Sequence, residues 1–303
     1  MFAVVIFSFG ARCQSLLFEA VRTERALGLA GSGMANAPAW DGITRNPAGA
    51  AADTFTRNGI AFNARRHPER PTIWAFSAPF YFRNKAGLWG GGLDYTRVTA
   101  ARYSDSTGLT TGGFNAGEIA LFAAFGRTFG KRWSAGATLG YVYSTYVGMV
   151  AGQRQRGPGH TARVGLYGQA KILDVGEKRR FFLTAAAALT ELGPPIRYFH
   201  PERKTPLPIS LTVGTAAGIL TPMVGLTVYV DPRLRFGGKA SFETTAGVEI
   251  NLKRRLYFRV GARASEGRRS FAIGTSARIM DVVEIGFGFD GGYFAALGVF
   301  WRK

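Results

Sequence analysis

The chain is 303 residues long, 47% hydrophobic and formally +19; no window approaches the ~20 uninterrupted apolar residues of a spanning helix, so a helical membrane span is excluded and a membrane barrel is not. So basic a chain raises nucleic acid first, but its cations come in small groups, such as Arg65-Arg66, Lys131-Arg132, Lys178–Arg180, Lys253–Arg255 and Arg268-Arg269, with no single stripe among them. Groups spaced that way suit turns at two aqueous rims beside phosphate-bearing lipid, and no nucleic-acid partner is expected.

Residues Phe2 to Ala11 form a short apolar run followed by Arg12-Cys13. The run resembles the apolar region and cleavage site of a signal peptide over residues 1–13, with the mature chain starting near Gln14. It lacks a positive start, which fits a truncated leader. Cys13 is the only cysteine, so disulfides contribute nothing after its removal.

Residues 14–56 hold an almost uncharged stretch rich in Gly and Ala, ALGLAGSGMANAPAWDGITRNPAGAA, from Ala26 to Ala51. Small residues permit close backbone packing, and Pro38 and Pro47 forbid one continuous helix. Asn46, Pro47 and Gly49 read as a cap and first turn of a short helix. The expectation is a plug lying inside a barrel; the plain alternative is an ordinary buried loop.

From residue 57 to 303 the pattern has period two, the signature of strands. In the clearest segment Leu256, Phe258, Val260 and Ala262 share one face, and Tyr257, Arg259, Gly261 and Arg263 share the other. Residues 242–252, 270–278 and 283–290 alternate likewise, placing Glu243, Glu249, Arg278, Glu284 and Asp290 on the non-apolar side. A soluble sandwich does not explain a polar face so full of glycine and of charges of both signs. In a transmembrane antiparallel up-and-down barrel the apolar face meets lipid and the other lines a crowded lumen. There the four carboxylates would neutralise Arg259, Arg263 and Arg278, because an unpaired buried charge costs several kcal/mol.

Segment counting predicts about fourteen strands: 57–66, 72–82, 87–98, 115–127, 132–146, 160–173, 179–191, 207–219, 223–231, 240–252, 255–265, 268–279, 281–290 and 292–302. The connections after every second strand are tight. The others include the longer 99–114, 147–159, 192–206 and 232–239. Short turns on one rim and long loops on the other is the bacterial outer-membrane arrangement, which makes outer-membrane lipid or lipopolysaccharide the expected neighbour. Trp301 near the C-terminus fits a closing amphipathic strand.

Catalytic and metal-binding chemistry is not expected. His67, His160 and His200 are far apart and lack ligand spacing. No G-x-S-x-G elbow occurs, and Gly31-Ser32-Gly33 lacks the third glycine and the strand–helix context of a dinucleotide loop. The inward carboxylates alternate with arginines, so charge balance explains them more simply than acid/base catalysis. No enzyme and no cofactor is predicted.

The stretch from Ala26 to Ala51 resembles the "R-A-x-G-M-G-G-A … W-N-P-A-G-L" opening of the PorV/PorQ group within the FadL-like outer-membrane β-barrel superfamily. Residues 189–196, LTELGPPI, are similar to that group's "N-L-G-P-K-I", and Pro206-Leu207-Pro208 with Leu211–Gly214 to its "P-L-P … L-R-L-G". Arg45 and Glu191 depart from the pattern. The resemblance implies a fourteen-stranded barrel with its N-terminal segment inside. For function it implies an accessory of type IX-like protein secretion or surface attachment, with a protein partner in a secretion or envelope complex. Alternatives it leaves open are a FadL-like channel for hydrophobic small molecules and a structural barrel in an envelope assembly.

Overall fold

The structure, a computed structural model, describes residues 23–53, 58–67, 72–104, 110–150, 153–197, 204–236, 240–266, 268–280 and 282–301. The expected leader with Cys13, and His200, lie outside them. Fourteen strands close an antiparallel barrel: β1 (Asn58–His67), β2 (Thr72–Asn84), β3 (Gly87–Ser104), β4 (Thr110–Phe129), β5 (Trp133–Val150), β6 (Gln153–Val175), β7 (Arg180–Leu192), β10 (Ser210–Leu220), β11 (Val224–Arg235), β12 (Ser241–Leu252), β13 (Leu256–Ser265), β14 (Arg268–Ile279), β15 (Val283–Phe289) and β16 (Tyr293–Trp301). Two further short strands, β8 (Ile196–Arg197) and β9 (Lys204–Thr205), pair in a ribbon between β7 and β10. Pairing of β1 with β16 completes the ring, from Asn58 opposite Trp301 to Arg66 opposite Tyr293, leaving no open edge.

Alternation decides which way each strand faces. Along β13 the outward Phe258 and Val260 are 48% and 60% exposed, while the inward Arg259 is 2% exposed. The same rhythm runs along β12 and β14. Tryptophan, phenylalanine and branched aliphatics therefore cover the outside, Trp74, Phe80, Leu121, Trp133, Phe271 and Tyr293 among them. A water-soluble protein rarely exposes so large an apolar surface. A barrel spanning a bilayer requires it, since its backbone polar groups are all satisfied from strand to strand.

The predicted spans of the strands hold over most of the chain, but β3, β4, β5 and β6 run further than the alternation suggested. Most of the predicted loops 99–114 and 147–159 is strand, with Thr99 opposite Asn115 and Val150 opposite Gln153. Ladder hydrogen bonds do not depend on side-chain polarity, so pairing continues where the apolar rhythm stops. One rim keeps tight turns throughout. At Lys253-Arg254 both residues are left-handed, φ 50° and 56°, within a three-residue connection in which the Arg255 N–H donates to the Leu252 carbonyl at 2.9 Å.

The core lies inside the barrel. Among the described residues, three short helices, α1 (Glu24–Gly28), α2 (Ala39–Arg45) and α3 (Pro47–Ala52), and a 3-10 turn at Met34–Asn36 precede β1. Leu29 and Met34 pack with the inward rings of Tyr167, Phe182 and Tyr229. Trp40, Ile43 and Ala51 pack with Tyr81, Leu88 and Phe300. Among the described residues no helix is long and apolar enough to cross a membrane.

Candidate functional site

The N-terminal segment lies across the lumen and reaches every barrel strand. Helix α1 packs on β13 to β16, the 3-10 turn on β7, β10 and β11, α2 on β1 to β4, and α3 on β3 to β6. Contact with β12 comes from Arg25, whose Nε donates to Glu249, and from Leu29 and Ser32, which lie against Gly247.

Glycine makes that approach possible. A Cβ on Gly126 of β4 would fall on the Pro47 carbonyl of α3. One on Gly261 of β13 would fall on the backbone of Leu29 and Ala30. Part of the glycine excess on inward faces is thus space for the plug's main chain.

Arg25 is the largest fully buried side chain among the described residues, 2% exposed. Its Nε is 3.1 Å from Glu249 Oε2 and its Nη1 2.9 Å from Asp41 Oδ2. Its Nη2 donates to the Tyr229 hydroxyl at 2.8 Å, and the Tyr229 hydroxyl donates in turn to Glu249 Oε1 at 3.1 Å. Burial by itself would lower the Arg25 pKa; facing Glu249, Tyr229 and Asp41 raise it well above its ordinary value. Asp41 is held further by the Thr23 hydroxyl and by Arg45 Nη1 at 3.3 Å. An ionic knot therefore ties α1 and α2 to β11 and β12.

Asn46, Pro47 and Gly49 sit at the junction of α2 and α3. Asn46 Oδ1 accepts from the Gly49 N–H at 3.1 Å, while its Nδ2 donates to the Met34 carbonyl and to Gln169 Oε1. Pro47 is the first residue of α3, with Asn46 as its cap. Arg45, where the family opening has an aromatic residue, donates to the carbonyls of Gly31 and Ser32 at 2.5 and 3.2 Å. The Gly31-Ser32-Gly33 run is a strap fastened by arginines.

The predicted lumen charges lie close together. Arg259 Nε is 2.7 Å from Glu249 Oε2, and its Nη2 is 3.9 Å from Glu284 Oε1. Arg278 Nη2 meets Glu284 Oε2 at 2.7 Å. Strand register puts Glu249 directly opposite Arg259, and Arg278 opposite Glu284. Arg263 donates chiefly to the Ala30 carbonyl, with Asp290 at 3.9 Å; Asp290 is nearer Arg65, at 3.3 Å. Glu243 faces Arg233 and Arg235 on β11, at 3.6 and 3.5 Å, two arginines outside the three expected to balance it. The expected cross-strand pairing did not include β11, because the charge pattern of β12 alone does not say which residues of β11 lie opposite it.

Several participants escaped sequence reasoning. Arg25 sits in a short mixed segment with no periodicity to aim it. Tyr229 and Asp231, where Asp231 Oδ2 accepts from the Met34 N–H at 2.9 Å, alternate along β11 and were open to the same face reading as Glu249. Asp94, Arg163 and Glu191 line a small cavity of about 50 Å³ towards the rim opposite the tight turns, where Arg163 Nη1 is 3.1 Å from Glu191 Oε1. His160 is exposed within β6, its ring stacked 6.2 Å from that of Tyr141. No group of residues suited to a metal occurs among the described residues.

On the tight-turn side of the plug lies a cavity of about 760 Å³, bounded by the plug and by the ends of the strands. The fold and this site define a class: a plugged, membrane-embedded β-barrel. The toluene transporter TbuX of Ralstonia pickettii is similar in fold, with a TM-score of 0.58 and 11% identity over 92% of this chain and 98% of that one. The toluene transporter TodX of P. putida gives 0.54 and 9% identity over 92% and 98%. CymD, a monoaromatic hydrocarbon channel, gives 0.53 and 10% over 92% and 97%. No family model matches the chain, and no curated protein matches it in sequence. What this chain shares with the three is the fold, a closed β-barrel, at about a tenth sequence identity.

Proposed function

We propose that the protein is a non-enzymatic channel of the bacterial outer membrane that passes hydrophobic small molecules, with the N-terminal plug as its gate. The observation that carries this reading is the plug itself, a separate chain segment that touches all fourteen strands and leaves a ligand-sized cavity on one side. Proteins built on this barrel include two described as toluene transporters and one as a hydrocarbon channel. That favours the channel over the secretion accessory implied by the PorV/PorQ-like opening. The outer lipid leaflet, rich in phosphate, suits both the apolar outer surface and the basic rims.

The test compares uptake of a labelled apolar aromatic compound by cells with and without the gene. Slower uptake in the deletion strain, restored by the intact gene, is expected. Equal uptake together with a changed set of secreted or surface-attached proteins would overturn the channel and favour the accessory role.

A further inference from the structure

The cavity on the tight-turn side is strongly basic, and a neutral hydrocarbon gains nothing from that. Seven cationic side chains line it against three carboxylates. Three carboxylates in or beside it are each shared by two cations. Asp174 serves Lys171 at 3.2 Å and Arg180 at 2.7 Å. Glu284 serves Arg278 and Arg259, and Glu249 serves Arg259 and Arg25. A concave site with one sign of charge in surplus concentrates the opposite ion.

The walls between those cations are rings. Tyr81, Phe182, Tyr257 and Phe300 line the same space. Arg278 lies 5.7 Å from the Tyr257 ring centre and 5.6 Å from that of Phe300. Trp40 lines it too. We infer that this vestibule binds a small aromatic anion: a ring that packs against the aromatic walls, bearing a carboxylate or sulfonate that accepts from the surplus cations.

This inference rests on the channel reading, because it names the cargo, but binding to the purified barrel tests it separately. Calorimetric titration of the full-length barrel in detergent compares benzoate with benzyl alcohol, its neutral counterpart. Benzoate is expected to bind about tenfold tighter, the worth of one charge-assisted hydrogen bond, and to weaken as salt rises. The Lys171→Gln, Arg180→Gln double variant is expected to lose that preference. Asp174→Asn, which removes the acid competing for the same two cations, is expected to strengthen it. Heat-modifiable mobility verifies that each variant is folded. Equal binding of benzoate and benzyl alcohol, or a preference unmoved by both charge changes, overturns the inference. Should benzoate bind as expected while the deletion strain takes up aromatic compounds at the normal rate, the vestibule stands and the channel reading falls. Slower uptake of neutral toluene in that strain, with no benzoate preference in the purified barrel, gives the reverse.

Discussion

Arg25 supplies the plug with hydrogen bonds to Asp41, Tyr229 and Glu249, which lie on one plug helix and two barrel strands. Arg25→Ala would leave two carboxylates and a phenol facing a void, and removing one partner of a buried pair costs about 3–5 kcal/mol. The barrel's ladders do not pass through this residue, so the loss falls on the docking of the plug. In reconstituted vesicles the variant is expected to leak small solutes faster than the parent while keeping its heat-modifiable mobility. Arg25→Lys is expected to fall between the two, because an ammonium keeps the charge but not the planar fork that reaches three partners. Leakage at the parent's level in Arg25→Ala would mean that apolar packing alone holds the plug.

At the scale of the elements, the fit between α3 and the wall of β4 rests on a missing side chain. Gly126→Leu would drive a branched side chain into the Pro47 carbonyl, and backbone cannot yield there as a flexible side-chain tip would. The expected outcome is a plug displaced from the wall, visible as new protease cleavage between residues 39 and 53 in a barrel that still folds. An uncut plug would mean that α3 can shift along the wall at little cost. Such contacts mark the limit of what the sequence discloses. Strand positions and facing were legible because a half-buried strand repeats every two residues; Phe258 and Arg259 fall on opposite faces by that rule alone. The partner of Glu243 was not legible, since Arg233 becomes its neighbour only through the register of β11 against β12. The role of Arg25 was hidden for a related reason. A five-residue helix has too little periodicity to aim a side chain, and only the barrel around it gives the direction.

At the scale of the whole molecule, barrel and plug are joined by different kinds of interaction. Each strand is paired by ladders to two neighbours, and the apolar outer face is satisfied by lipid whether or not the lumen is filled. The plug contributes no strand to the ring. Its helices have five to seven residues, too short to persist alone in water. Order in the plug therefore depends on the barrel, while closure of the barrel does not depend on the plug. Deleting residues 23–53 is accordingly expected to leave a folded barrel. Its inward arginines and carboxylates would become hydrated, Glu249 keeping Arg259 at 2.7 Å after the loss of Arg25. Single-channel recording across a planar bilayer should then turn a closed or intermittently open protein into one with steady conductance. The basic lining predicts that this current is carried mainly by anions, and a salt gradient across the bilayer would register that as the sign of the reversal potential. A deletion protein that no longer shows heat-modifiable mobility would mean that the plug is needed to close the ring, as a core is. A folded but silent one would mean that the lumen is blocked by the barrel's own side chains, and the plug would then have nothing to gate.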